Sequence, residues 1–163
     1  MYEEASKRLR DADLLQAAIP FDESSDSAYL LKLLGLELLL KLIYEYELSK
    51  KAHGHKYEEL FEELPKDLQT RLLSLAGERV GPSGLSSDPK SILQEWGANF
   101  VGMRYPWVRY ANCSEEDYSN LGQTWISNDA PIEDATFRYH PRELIGFIAA
   151  LRKVAGEMQI YTK

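Results

Sequence analysis

The chain has 163 residues, 44% hydrophobic and 28% charged, which is ordinary globular usage and enough length for one domain, 1–163, to bury a core without staples. Its net charge of −7, from 26 acidic and 19 basic residues, argues against a broad nucleic-acid footprint but leaves room for a local basic cleft. One cysteine, Cys113, cannot form an internal disulfide, which fits a cytoplasmic protein.

From Tyr2 to Ala18, Ala5, Leu9, Ala12 and Leu15 recur at helical spacing and predict a first amphipathic helix. The segment from Met1 to Arg8 has no apolar stretch after its charges, so no secretory signal is expected. Pro20 and the polar run after it break the pattern, and Ser25 or Asp26 can cap a second helix over about Ser27 to Lys51. That helix has leucines at 30, 31, 33, 34, 36, 38, 39, 40, 42 and 48, on nearly every face, so it must be enclosed by other helices or bury one face in a dimer. It is not read as a membrane span, because Lys32, Glu37, Lys41 and Glu45 each cost roughly 2.5–3.5 kcal/mol at a bilayer centre. Glu37, Lys41 and Glu45, spaced i, i+4, read as a helix-surface ion-pair stripe or as a buried charge pair lining a cleft.

Gly54 supplies the permissive backbone for a reversal, and His55 is expected to cap a short helix from Lys56 to Leu64. Pro65 opens a fourth helix to about Glu78, and Gly81 to Ser87 reads as a loop. Asp88 and Pro89 give an N-cap and first-turn proline for a helix through Arg104, closed by Pro106. Residues 107–139 lack a sustained period and are expected to be an aromatic-rich excursion packed by Trp107, Tyr110, Tyr118, Trp125 and Phe137. His140 and Pro141, with Glu143 three residues on, start a last helix to about Ile160, with the His140 ring expected to cap it. The fold class is thus all-α, a bundle of four to five main helices.

No stretch carries a complete set of groups for a reaction. His53 and His55 lack further ligands nearby in sequence, so no metal site and no cofactor are expected. Cys113 lies in acidic surroundings that disfavour a thiolate, and Gly77 to Gly84 lacks the lysine of a phosphate loop. The densest patch is Met103 to Asn112, in which Arg104, Tyr105, Trp107, Arg109 and Tyr110 interleave cations with rings. Such a patch suits phosphate clamping and base stacking, a protein interface, or core packing with the arginines held by Glu115, Glu116 and Asp117.

Taken together, Glu37-Leu-Leu-Leu-Lys41, then Gly54-His-Lys-Tyr-Glu-Glu-Leu-Phe61 followed by Leu64-Pro65, and then Asn99-Phe-Val-Gly-Met-Arg-Tyr105 resemble the HEPN superfamily of small helical bundles over about half the chain. The resemblance implies an up-and-down bundle, usually dimeric, found in toxin–antitoxin and phage-defence systems, beside nucleotidyltransferases, or as RNA-cleaving domains. In ribonucleases of that superfamily an arginine is followed four to six residues later by a histidine, and the pair works on the scissile phosphate at the dimer cleft. Arg104 matches the arginine, but the matching places for the histidine hold Arg109, Tyr110 and Ala111. The expectation is therefore a non-catalytic homodimer that binds a nucleotide, RNA or protein partner through Arg104, Tyr105, Trp107, Arg109, Glu37 and Lys41. The alternative is a divergent metal-independent ribonuclease in which Arg104 recruits a histidine through folding, with His55 and His140 the named candidates beside His53.

Overall fold

The computed structural model describes residues 1–20, 25–105, 107, 111–131, 135 and 137–161, without the side chains of 119, 121 and 161. It is an all-α bundle, with no strand among the described residues. The main helices are α1 (Tyr2–Ala17), α2 (Asp26–Leu48), α4 (Lys66–Val80), α6 (Pro89–Arg104), α7 (Glu115–Ser127) and α8 (Pro141–Tyr161). Short helices α3 (Tyr57–Glu62) and α5 (Gly84–Ser87) connect them. Two of these differ from the sequence expectation: α5 lies inside the glycine-rich loop, and α7 gives the excursion a helix of its own.

Local chemistry sets the helix starts. The Ser25 side chain accepts from the Ala28 N–H at 3.1 Å to open α2, and Asp88 accepts from the Ser91 N–H at 3.0 Å, with Pro89 just inside α6. Ser114 and Asp117 form a reciprocal capping box for α7. Helix α2 ends earlier than expected, at Leu48, because Ser49 turns into the left-handed region at φ 51°. Gly54, at φ 72°, shapes the loop that follows.

As its all-round leucines require, α2 is the axis of the bundle and packs against α1, α3, α6 and α8. Leu33, Leu36, Leu39, Leu40 and Ile43 are fully buried, while Leu30, Leu34, Leu38 and Leu42 are partly buried and pack onto the same cluster. The α1–α2 approach is close because Gly35 faces Leu9, whose side-chain carbons would lie 2.7 Å from an added Cβ. Trp96, Phe61 and Phe147 join α6, α3 and α8 in the same core, with ring centroids about 6 Å apart. This packing fixes the last turn of α6 against the loop that leads from α2 into α3. No helix among the described residues is long and apolar enough to cross a membrane.

Candidate functional site

Glu37 sits midway along α2 and is buried, its side chain 7% exposed. A carboxylate so placed needs partners, and it has three. Lys41, one turn on, donates to Oε1 at 2.9 Å. The buried Tyr57 hydroxyl, at the start of α3, donates to Oε2 at 3.0 Å. The His55 ring, from the α2–α3 loop, meets the same Oε2 through Nδ1 at 2.7 Å. The i, i+4 stripe is therefore a buried charge pair and not a helix-surface one. Glu45 belongs elsewhere, pairing with Lys51 at 2.9 Å.

On the other side of the imidazole, Arg104 Nη2 lies 3.3 Å from His55 Nε2. A guanidinium can only donate, so Nε2 must accept, and Nδ1 carries the hydrogen given to Glu37. The sequence Glu37–His55–Arg104 thus fixes the histidine tautomer, with a carboxylate behind the ring and a cation at its front. Arg104 is itself held by its Nε donating to the Phe100 carbonyl at 3.2 Å and by stacking 4.2 Å above the Phe100 ring. The Phe100 ring also meets the His55 ring, with centroids 5.2 Å apart. His55 remains 37% exposed at the side chain, so the ordered imidazole faces solvent from a buried support. Among the described residues Arg104 pairs with no carboxylate, so the expected neutralisation by Glu115, Glu116 and Asp117 does not apply to it.

The loop carrying His55 crosses α6 at Gly97. A Cβ there would fall 2.4 Å from the His55 carbonyl oxygen, so only glycine permits this approach. Beside the crossing a cleft of about 250 Å³ opens, lined by His55, Lys56, Glu58, Gln94, Gly97, Ala98 and Val101. A second cavity of about 280 Å³, lined by Tyr29, Lys32, Tyr139 and Leu144 among others, contains none of the candidate residues.

The other expectations divide. His55 is not a helix cap: Lys56 occupies that position, and the His55 ring is committed to Glu37. The His140 ring does not cap the last helix either, because its Nε2 bonds Glu95. Arg138 joins the same carboxylate at 2.8 Å, while Trp96 and Asn99 donate to the Tyr139 and Arg138 carbonyls, clamping this segment to α6. Glu95 precedes Arg104 by nine residues, about 13 Å along a helix axis, so His140 belongs to a different part of α6. His53 is exposed. Tyr105 and Trp107 are exposed and in edge contact, whereas Arg109 and Tyr110 lie outside the described residues. Among the described residues no group of three or more His, Cys, Asp or Glu is arranged to hold a metal ion. Sequence reasoning overlooked Tyr57, Phe100 and Gly97 as parts of the site. Tyr57 stands in the Gly54 to Phe61 segment that carries the resemblance, but nothing in that segment shows that its hydroxyl reaches Glu37.

Burial, reinforced by the neighbouring Glu37 carboxylate and the hydrogen bond to it, holds the Tyr57 phenol well above its ordinary value of 10.0. Arg104 opposes that shift without cancelling it. A raised phenol pKa means the folded state keeps a proton that the unfolded state releases above about pH 10, so this contribution is complete below pH 10 and fades as pH rises beyond it. Urea midpoints should therefore fall above about pH 10, and Tyr57→Phe should flatten that alkaline loss. An unchanged alkaline slope in the variant would contradict the assignment.

Comparison of the chain with protein-family models, with curated proteins and with solved structures finds no match.

Proposed function

We propose that the chain is a divergent, metal-independent ribonuclease in which His55 and Arg104 act on the phosphodiester. The supporting observation is the 3.3 Å approach of Arg104 Nη2 to His55 Nε2, with Glu37 ordering the far side of the ring. The histidine sought four to six residues after Arg104 is supplied instead from 49 positions earlier. This pairing favours the divergent ribonuclease over a silent binder.

The chemistry follows from the atoms. A substrate phosphate draws the Arg104 guanidinium onto its oxygens, because a charge-assisted bidentate pair is stronger than one bond to a neutral ring. That frees Nε2 to accept the proton of the ribose 2′-hydroxyl. The 2′-oxygen then bonds to phosphorus, the bond from phosphorus to the 5′-oxygen breaks, and the leaving oxygen takes a proton from water, which the imidazolium's proton later replaces. Glu37 steadies the imidazolium that forms, while Arg104 offsets charge on the phosphoryl oxygens. In a homodimer of the kind the resemblance implies, two such sites would face one cleft.

The direct test is incubation with single-stranded RNA in EDTA, followed by analysis of the new ends. The expected products carry 2′,3′-cyclic phosphate and 5′-hydroxyl termini, and Arg104→Ala reduces their yield about 10²–10³-fold, the usual loss of a charge-stabilising donor. Intact RNA after wild-type treatment, with phosphate-dependent binding retained, would return the reading to a non-catalytic partner-binding bundle.

A further inference from the structure

Two aromatic residues just past Arg104, Tyr105 and Trp107, take no part in the proposed proton transfer. Tyr105 is 44% exposed and Trp107 is 65% exposed, although large aromatic rings ordinarily seek burial. Their rings meet edge to face with centroids 5.4 Å apart, so they present one composite surface. That surface adjoins the phosphate-directed cation, since the Arg104 guanidinium carbon lies 5.3 Å from the centre of the Tyr105 ring.

Resting on the ribonuclease reading, we infer that Tyr105 and Trp107 form a nucleobase-stacking subsite, which receives an unpaired base next to the phosphate held by Arg104. Two features on one short stretch and one of the whole chain argue for it. A guanidinium marks where a phosphate sits, and in a nucleotide chain a base lies one sugar away. Exposed rings at that distance offer π faces that every base can use without hydrogen-bond readout. The net charge of −7 leaves little general attraction for polyanions, so ring contact beside a single arginine is a way to gain affinity without a basic surface. A base inside a duplex is already stacked and paired, and the subsite therefore selects single strands.

The test separates this inference from the catalytic reading. Wild-type protein is titrated with a 2′-O-methyl oligonucleotide of about ten residues, which cannot be cleaved, as single strand, as duplex and in abasic form, following tryptophan emission. Of the three tryptophans, Trp96 is fully buried and Trp107 is the most exposed described, so a stacked base reports there. Saturable quenching by the single strand, absent for the duplex and the abasic strand and lost in Trp107→Phe, is the expected result. In cleavage assays Trp107→Ala and Tyr105→Ala should raise KM about 5- to 150-fold with kcat little changed, and Trp107→Phe should restore KM.

Quenching without any cleavage would remove the ribonuclease and leave the subsite standing. Cleavage that depends on His55 and Arg104, but with duplex and abasic strands bound as well as the single strand, would remove the subsite alone. A Trp107→Ala variant that changes only sedimentation behaviour would mark the rings as a protein contact and overturn the inference.

Discussion

Replacing His55 with alanine is expected to lower the cleavage rate about 10²–10⁴-fold, the usual contribution of a positioned general base, while leaving the urea midpoint near that of the wild type. The imidazole is more than a third exposed at its side chain, and its removal still leaves Glu37 paired with Lys41 and Tyr57. Glu37→Ala should lower stability as well as the rate. The carboxylate joins Lys41, Tyr57 and His55, and breaking a buried charge pair from one side costs about 3–5 kcal/mol, because the other charge is left without compensation. Lys41, 17% exposed at its side chain, can recover part of its hydration, which places the cost toward the lower end of that range. Glu37→Gln keeps the shape and some hydrogen bonding but, like alanine, removes the charge that compensates Lys41, so it should lose less stability than Glu37→Ala while still cleaving more slowly than the wild type. Urea unfolding and single-turnover cleavage of one RNA, run on all three variants, give the comparison. If His55→Ala cleaves at the wild-type rate while Glu37→Gln is slow, the carboxylate acts on substrate without the histidine and the assigned roles are wrong.

Much of the bundle is legible in the residues because its elements announce themselves locally. Asp88 and Pro89 predict the start of α6, and Arg104 is its last residue as expected. The leucine-saturated α2 predicts enclosure, and four helices enclose it. Helix α7 has an equally local signal in Ser114 and Asp117, and Tyr118, Leu121 and Trp125 recur at helical spacing along it, a stripe too short to stand out from the polar residues around it. Each of its residues whose side chain is described is exposed, and Trp125 turns its indole N–H to the Pro131 carbonyl instead of into the core. The site is legible only in pieces. The spacing of Glu37 and Lys41 is visible in the sequence, but their burial depends on Tyr57 and on the loop folded over them. A search for a histidine following Arg104 proceeds along the chain, whereas the contact joins a loop to a helix end and has no period to betray it. A left-handed Ser49, which no glycine signals, ends α2 and starts the loop that brings His55 back.

That return path sets the last expectation, for Gly97→Ala. In an ordinary helix interior this change is stabilising by about 1 kcal/mol, since alanine loses less conformational freedom than glycine. Here the new methyl carbon would fall 2.4 Å from the His55 carbonyl oxygen, a backbone atom that can yield only if the whole loop shifts. The expected sign therefore reverses, to a destabilisation of about 1–3 kcal/mol typical of overpacking. Function should suffer further, because a displacement of about 1 Å in a reacting group can cost 10²-fold in rate. Gly77→Ala is the matched control: it lies within α4, and an added Cβ meets nothing within 4 Å, so it should stabilise by about 0.4–1 kcal/mol and leave cleavage unaltered. Urea denaturation of the pair measures the sign, and cleavage assays measure the displacement of His55. A Gly97→Ala protein as stable as the control variant and fully active would show that the loop does not need this crossing to present its histidine to Arg104.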